Sequence, residues 1–164
     1  MYALTGHTNG IGAELYARLS PNCLGLSRAT GHDITTRQGR DLILYDADQC
    51  DVFINNAHSG FGQTQLLIEL FQLWRDKPKQ IVNVGSAIVD RRLRSDKLHL
   101  LTYAAEKRAL HSIISDMQGY ACRVSYVQFG YVGTPEILAK YPGIDEYLSV
   151  ASAADLILGA VAEI

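Results

Sequence analysis

Three glycines near the start of the chain have the spacing of a phosphate-binding turn. Gly6, Gly10 and Gly12 lie between a short apolar run and a helical pattern. Glycine allows a sharp turn and a close approach of backbone to an anion, and the helix that follows presents free N–H groups and a positive dipole end. A glycine-rich turn without a ligand is the alternative, but the position between strand and helix favours a dinucleotide pyrophosphate.

Tyr103 and Lys107 have the residue types and the spacing for acid–base chemistry. Residues four apart on a helix share a face, so the ammonium group lies one turn from the phenol. A tyrosine pKa of about 10 is high for proton transfer near neutrality, and a neighbouring cation favours the phenolate. The pair therefore predicts a proton donor for a substrate oxygen, although two unrelated surface residues of a helix are the alternative.

The patterns TGxxxGIG at residues 5–12 and YxxxK at residues 103–107 resemble the short-chain dehydrogenase/reductase family. Further segments match that family in its order along the chain. They are Ser27-Arg28, Asp33-Ile34, Asn55-Asn56-Ala57-His58, Ser86 after the apolar run 81–85, and Phe129-Gly130-Tyr131-Val132-Gly133-Thr134. The matches cover nearly the whole chain.

The resemblance implies that the chain binds NADP(H). Members that use NAD usually have an acidic residue where this chain has Arg28, and a guanidinium pairs with a 2′-phosphate that a carboxylate would repel. By the same resemblance, Asp33 contacts adenine and the segment ending at Thr134 contacts the nicotinamide amide. The full expected set of cofactor-binding residues is Thr5, Gly6, Asn9, Gly10, Ile11, Gly12, Ser27, Arg28, Asp33, Ile34, Asn55, Asn56, Ala57, Tyr103, Lys107, Gly130, Val132 and Thr134.

The same resemblance implies an oxidoreductase that transfers hydride between nicotinamide and a small carbonyl or alcohol. Tyr103 would be the acid or base, Lys107 its electrostatic partner, and Ser86 a hydrogen-bond donor to the substrate oxygen. A non-catalytic NADP(H)-binding sensor or partner protein is the alternative, and an epimerase or dehydratase that retains the cofactor also remains open. No metal site is expected.

The chain also departs from the family pattern. Four residues separate Arg28 from Asp33, too few for the usual helix and third strand, and residues 58–80 have room for about one helix instead of two. The family's terminal strand has no counterpart after the last helix. The asparagine of the family's catalytic tetrad has no clear equivalent; His58 either replaces it or caps the following helix. Phe129 stands where the family has proline, and the interval between Ser86 and Tyr103 is long.

The elements that must position these residues follow from the apolar pattern. Near-continuous apolar runs predict parallel strands buried on both faces, at 2–5, 23–27, 52–55, 80–84 and 123–128. Periodic segments predict helices at 11–19, 37–45, 63–75, 103–118 and 152–163. The alternation predicts a Rossmann-like α/β fold: a doubly wound parallel sheet of about five strands in three α/β/α layers, with a shortened third-strand region and no terminal strand.

Composition limits the remaining possibilities. The 164 residues predict one NAD(P)-binding domain over 1–164, and 48% apolar with 20% charged residues is typical of a globular protein. A net charge of −2 disfavours nucleic acid as a partner, and the cluster Arg91, Arg92 and Arg94 is interpreted as a solvated loop. With no long apolar segment and three scattered cysteines, we expect a cytoplasmic protein without a membrane span.

A homodimer is also expected. Helices 63–75 and 103–118 would pack against their symmetry mates, as in similar proteins. The first of them carries more apolar side chains than one face of a sheet should need, namely Leu66, Leu67, Leu70, Phe71 and Trp74.

Overall fold

A parallel sheet of five strands forms the centre of the computed structural model, which describes residues 1–92 and 97–161. The strands run in the order β2-β1-β3-β4-β5, and all neighbouring pairs are parallel. The predicted sheet is confirmed, and each strand ends within one residue of its expected position. The strands are β1 (Tyr2–Thr5), β2 (Cys23–Leu26), β3 (Val52–Asn55), β4 (Gln80–Val84) and β5 (Arg123–Val127).

Helices cover both faces of the sheet, which confirms the three-layer α/β/α architecture. They are α1 (Gly10–Leu19), α2 (Arg37–Ala47), α3 (Gly62–Trp74), α4 (Leu98–Ile114), α5 (Pro135–Lys140) and α6 (Val150–Gly159). Alternate strand residues divide between two cores: Leu4 and Ile54 pack with α1 and α6, whereas Ala3 and Phe53 pack with α2, α3 and α4. None of the helices in the described ranges has both the length and the apolar character needed to cross a bilayer.

The strand order creates a crevice between β1 and β3. The chain leaves β1 towards β2 on one side and returns through α2 to β3 on the other, so the connections diverge above the carboxyl ends of these two neighbours. Ligands of open α/β sheets bind at such a switch point. The glycine turn after β1 and the loop after β3 therefore meet at the edge of the sheet where Ser86 follows β4.

The shortened connections have the form that the residue counts predicted. Between β2 and α2 the chain makes a 3₁₀ turn at Arg28–Thr30 and no strand, and a single helix, α3, joins β3 to β4. After β5 the described residues, which extend to 161, form only α5 and α6.

Two helices differ from their predicted bounds by more than two residues, and one was not predicted. The helix α4 starts at Leu98, five residues early, and α6 lies at Val150–Gly159, whereas the predicted residues 162 and 163 fall outside the described residues. The unpredicted α5 had a local signal. Thr134 caps it by accepting a hydrogen bond from Ile137 N (3.3 Å), and Pro135 follows at the first helical position.

The apolar stripe of α3 is covered within the chain and does not support the predicted dimer. All five of its side chains, from Leu66 to Trp74, are buried within the chain itself. The helix lies between α2 and α4 as well as on the sheet, so a single chain covers an unusually wide stripe. The homodimer stays a prediction. Exposed apolar side chains on the two helices include Leu73 of α3 and Leu98 and Leu101 of α4.

Truncation of Leu70 should therefore destabilise the single chain. We expect Leu70→Ala to lower the free energy of unfolding by about 2–5 kcal/mol, because it removes a fully buried side chain. Urea unfolding at two protein concentrations measures the loss and shows whether it depends on assembly. Leu73→Ala is the matched control, since Leu73 on the same helix is 41% exposed and should change stability by less than about 0.5 kcal/mol. A loss at Leu70 that disappears at low concentration would restore the interface interpretation.

Candidate active site

A cleft of about 520 Å³ opens at the carboxyl edge of the sheet beside β1, β2 and β3. It brings together many of the residues that the sequence assigned to a cofactor. Those that line it are Gly6, Asn9, Ser27, Arg28, Asp33, Ile34, Asn56 and Ala57, together with His58.

The glycine turn forms one wall of this cleft. Gly6 and Gly10 have positive φ angles of 71° and 53°, which side chains rarely tolerate, and a Cβ on Gly12 would collide with the carbonyl oxygen of Gly6. The Asn9 amide donates to Thr8 Oγ1 (3.4 Å) instead of capping α1, so Asn9 leaves the first N–H groups of the helix uncapped, and Asn9 itself lines the cleft. This arrangement can bind an anion.

Thr5 joins the ends of β1 and β3 beneath the cleft. Its hydroxyl oxygen accepts hydrogen bonds from the backbone N–H groups of Asn56 and Ala57, both at 3.0 Å. The Asn56 side chain donates to Thr5 O, also at 3.0 Å. Asn55 lies behind these residues in the core, where its amide donates to Asn83 Oδ1 (3.0 Å). Thr5 and Asn55 thus support the cleft from inside the protein.

Arg28 and Asp33 stand at the far end of the cleft. Arg28 is exposed at the start of the 3₁₀ turn, and no acidic residue occurs in that turn. The Asp33 carboxylate accepts from both the hydroxyl and the N–H of Thr35, and these hydrogen bonds lower its pKa, with a smaller contribution from Arg28. A guanidinium and a fixed carboxylate therefore define this end of the cleft.

Ser86, Tyr103 and Lys107 meet at the same edge of the sheet. Ser86 follows β4 and caps the 3₁₀ turn Ala87–Asp90, and its side chain lies within hydrogen-bonding reach of Tyr103 on α4. Lys107 Nζ lies 5.9 Å from the centroid of the Tyr103 ring. Burial raises the pKa of Tyr103 and outweighs the opposing effect of Ser86. That Lys107 favours the phenolate stays a prediction.

Lys107 is buried, and its ammonium group contacts neutral oxygens. The residue is 3% exposed, and Nζ donates to Gln63 Oε1 (2.8 Å) and to Val84 O (3.2 Å). Burial lowers the pKa of Lys107 to about 8, against a smaller opposing effect of Glu106. Sequence reasoning did not identify Gln63, because a lone glutamine in a helix gives no local sign of burial.

His58 contacts Glu106 through its ring nitrogen. Neither of the two roles considered for His58, replacing the asparagine or capping the following helix, predicts this contact. His58 Nε2 lies 2.9 Å from Glu106 Oε2, and its ring packs edge-on against Tyr103 with centroids 5.0 Å apart. Burial lowers the pKa of His58, and the charge of Lys107 lowers it further. The N-cap of α3 is Phe61, so the interpretation of His58 as a helix cap was wrong. The side chain that accepts a hydrogen bond from Lys107 is Gln63.

Tyr126 is a second residue that the sequence did not indicate. Its hydroxyl accepts a hydrogen bond from the backbone N–H of Ser86 (3.2 Å). The ring occupies the space where a side chain at position 85 would stand, so Gly85 is needed for this contact. Tyr126 thereby fixes the backbone of the serine.

The segment after β5 lies over the glycine turn. Thr134 is the nearest neighbour of Gly10, 3.1 Å from the position of a Cβ there, and Val132 is buried in a bridge to Leu148. Gly130 lies in the open loop after β5.

In the predicted arginine cluster, Arg91 and Arg92 are exposed, and Arg94 lies outside the described residues.

Solved structures share this fold. A short-chain dehydrogenase from Burkholderia cenocepacia J2315 in complex with NADP has a TM-score of 0.78 at 17% identity, over 97% of this chain and 82% of that one. A short-chain dehydrogenase/reductase from Vibrio parahaemolyticus has 0.71 at 17%, over 100% and 94%. A short-chain dehydrogenase from Sphingobium yanoikuyae in complex with NADPH has 0.69 at 17%, over 96% and 83%. No family model and no curated protein matches the sequence. The chain has a short-chain dehydrogenase/reductase-like fold.

Lys107 should make stability depend on pH. Its pKa is about 8 in the folded protein against 10.5 ordinarily, so between these values the unfolded chain holds a proton that the folded chain has lost. Burial of the charged Lys107 ammonium therefore destabilises the folded protein most strongly below the folded pKa, and this destabilisation disappears as the pH rises. Relative to Lys107→Met, we expect the wild-type free energy of unfolding to gain on the order of 2–3 kcal/mol from about pH 7 to about pH 10.

Urea unfolding at a series of pH values checks this difference. Lys140→Met is the control, because Lys140 is exposed and its removal should leave the pH dependence unchanged. Parallel pH curves for wild type and Lys107→Met would contradict the burial of a titrating ammonium group.

Proposed function

We propose that this chain is a member of the short-chain dehydrogenase/reductase family and acts as an NADP(H)-dependent oxidoreductase. The observation that carries the proposal is the meeting of Ser86, Tyr103 and Lys107 beside the cleft. A pure binding protein has no use for a serine placed beside a half-buried tyrosine. The reaction would transfer hydride between nicotinamide and a small carbonyl or alcohol. A screen of carbonyl compounds, followed by the loss of NADPH absorbance, tests it.

The residues of the cleft fit a dinucleotide. Gly6 and Gly10 have positive φ angles in the turn that leads into the N-terminus of α1, the end of a helix that favours a phosphate. Ser27 lines the cleft, and its buried Oγ has no hydrogen-bond partner among the described residues. Arg28 supplies a positive charge at the end where the order of the motifs puts the adenosine ribose. The NADP and NADPH complexes of the similar structures agree with this choice.

The three site residues divide the work at the substrate oxygen. When bound, the nicotinamide supplies or accepts the hydride. Because its pKa is raised, Tyr103 keeps its proton near neutrality and gives it from Oη to the oxygen of a carbonyl substrate. Ser86 holds that oxygen with a hydrogen bond, and the Lys107 ammonium stabilises the phenolate that the transfer leaves.

The substrate proposed is small and apolar, or a polyol. Three tyrosines lie beyond Tyr103: Tyr131 is near enough to influence its pKa, and its ring stands 5.5 Å from Tyr141 and 6.5 Å from Tyr147, centroid to centroid. Aromatic walls with hydroxyl groups suit such molecules better than anions. The three buried cysteine thiols, all unpaired, support a reducing compartment such as the cytoplasm.

A non-catalytic NADP(H) sensor is the second candidate. Its support is the shortened scaffold, with one turn in place of a third strand and one helix between β3 and β4. The two candidates differ in what Tyr103 does, since a sensor transfers no proton.

Replacement of Tyr103 should separate them. We expect Tyr103→Phe to reduce turnover by at least about 10²–10⁴-fold while NADPH affinity stays nearly unchanged, because only the transferable proton is lost. Ser86→Ala should mainly lower turnover, and Lys107→Ala should harm both turnover and affinity. Steady-state rates and NADPH fluorescence titration measure the two properties. Tyr45→Phe, which removes an exposed phenol on α2 outside the cleft, is the control. Wild-type turnover that survives in Tyr103→Phe would refute the assignment.

Arg28 should set the cofactor preference. We expect Arg28→Ala to weaken NADPH binding by about ten- to a hundredfold and to leave NADH binding nearly unchanged, as for the loss of one charge-assisted contact. Asn9 stands where similar proteins have a second basic residue, just before Gly10, so the wild-type preference for NADP(H) over NAD(H) should be moderate. Arg37→Ala removes an exposed arginine outside the cleft as a control. Equal binding of both cofactors by the wild type would sink the proposal.

A further inference from the structure

The Gln63 side chain connects three elements of the structure at the active site. Its Nε2 donates to Asn55 O at the end of β3 (2.7 Å) and to Val84 O at the end of β4 (3.0 Å), and its Oε1 accepts from Lys107 Nζ on α4 (2.8 Å). Gln63 is 2% exposed, so water does not compete for these hydrogen bonds. All three polar positions of the amide are therefore used within the protein.

These contacts leave the amide one orientation. A flip would turn Oε1 towards the carbonyl oxygens of Asn55 and Val84 and would turn the NH₂ group towards the ammonium of Lys107, so every contact would become repulsive. The backbone of Gln63 is held as well, because Asn55 Nδ2 donates to Gln63 O (3.1 Å). The acceptor that faces Lys107 is thus fixed in position and in direction.

We propose that Gln63 is the positioning residue of Lys107, holding the ammonium group at the end of β4 by a neutral acceptor oxygen. The inference rests on the proposed function for its catalytic meaning. Val84 O serves both side chains, since it accepts from Gln63 Nε2 and from Lys107 Nζ. Gln63 and Lys107 therefore share one anchor, two residues before Ser86. A buried ammonium has few acceptors, and loss of one must change both its place and its proton affinity.

The lysine titration is the readout that a merely structural glutamine would not move. The protein has five lysines, so ¹³Cε NMR of lysine-labelled protein without cofactor resolves Lys107 by the loss of its signal in Lys107→Met. The titratable groups around it are Tyr103 and Glu106 on α4 and His58 from the loop after β3, whereas α3 and β4 present the neutral Gln63 amide and Val84 carbonyl. Because those three remain in the variant, a shift reports on Gln63.

In Gln63→Met we expect the Lys107 midpoint to fall by about one to two pH units, the equivalent of one hydrogen bond to a charged group. Gln65→Met is the matched control, since Gln65 lies two residues away on the same helix and is exposed, and it should leave the midpoint unchanged. An unchanged midpoint in folded Gln63→Met overturns the proposal. The titration needs no substrate, so a failed carbonyl screen would count against the proposed function and not against this one.

The wild-type protein supplies a second measurement if Gln63→Met does not fold. The ¹⁵N signal of the Gln63 side-chain amide, assigned by triple-resonance NMR, should shift with the same midpoint pH as Lys107. An amide signal that stays constant through the Lys107 titration would overturn the proposal. In an active enzyme, Gln63→Met should lower NADPH affinity and turnover in the same direction as Lys107→Ala, and a variant that matches Gln65→Met in both properties would contradict the role.

Discussion

The rest of the candidate site depends on the burial of one ammonium group at the carboxyl edge of the sheet. Lys107 carries its charge into the interior, where an unpartnered ion would be destabilising by several kcal/mol, as an order of magnitude. The end of β4 and the start of α3 must both come within hydrogen-bond distance to prevent this. Once they do, Ser86 stands two residues beyond the shared carbonyl of Val84, and Tyr103 stands one helical turn before the lysine. The contacts of this one buried donor thus hold α4 against α3 and the end of β4.

The parts that could be predicted from the sequence are those with a local cause. Strands buried on both faces must be apolar at nearly every position, so the runs containing Phe53 and Ile81 are recognisable without knowledge of their neighbours. The glycine turn and the tyrosine–lysine pair follow from backbone sterics and helical spacing. The Thr134-Pro135 signal for α5 was present as well, and only its short length obscured it.

The parts that could not be predicted depend on contacts between distant elements. Gln63 is unremarkable in its own segment, and its importance comes from Asn55, Val84 and Lys107, which lie 8, 21 and 44 residues away. The stripe on α3 was misread for the same reason. A helix packed on a sheet alone exposes part of a wide apolar face, but α3 also has α2 and α4 as neighbours, and no feature of the helix itself reveals them.

The shortened scaffold leaves the candidate site intact, because the third strand that this chain lacks would lie at the outer side of the sheet, next to β2. Its place is taken by a loop with several internal hydrogen bonds. The Ser27 backbone N–H donates to Thr30 Oγ1 (3.0 Å), His32 Nε2 lies 2.7 Å from Asp46 Oδ2 on α2, and Arg40 donates to Ile34 O (3.1 Å). A loop tied down in this way forms the wall of the cleft that carries Arg28 and Asp33 without a strand beneath it. The switch point between β1 and β3, the end of β4 and the buried Lys107 all lie on the other side of β2, towards the centre of the sheet. Shortening the sheet from its edge therefore changes the support of the part of the cleft that carries Arg28 and Asp33, and it leaves the groups around Tyr103 in place.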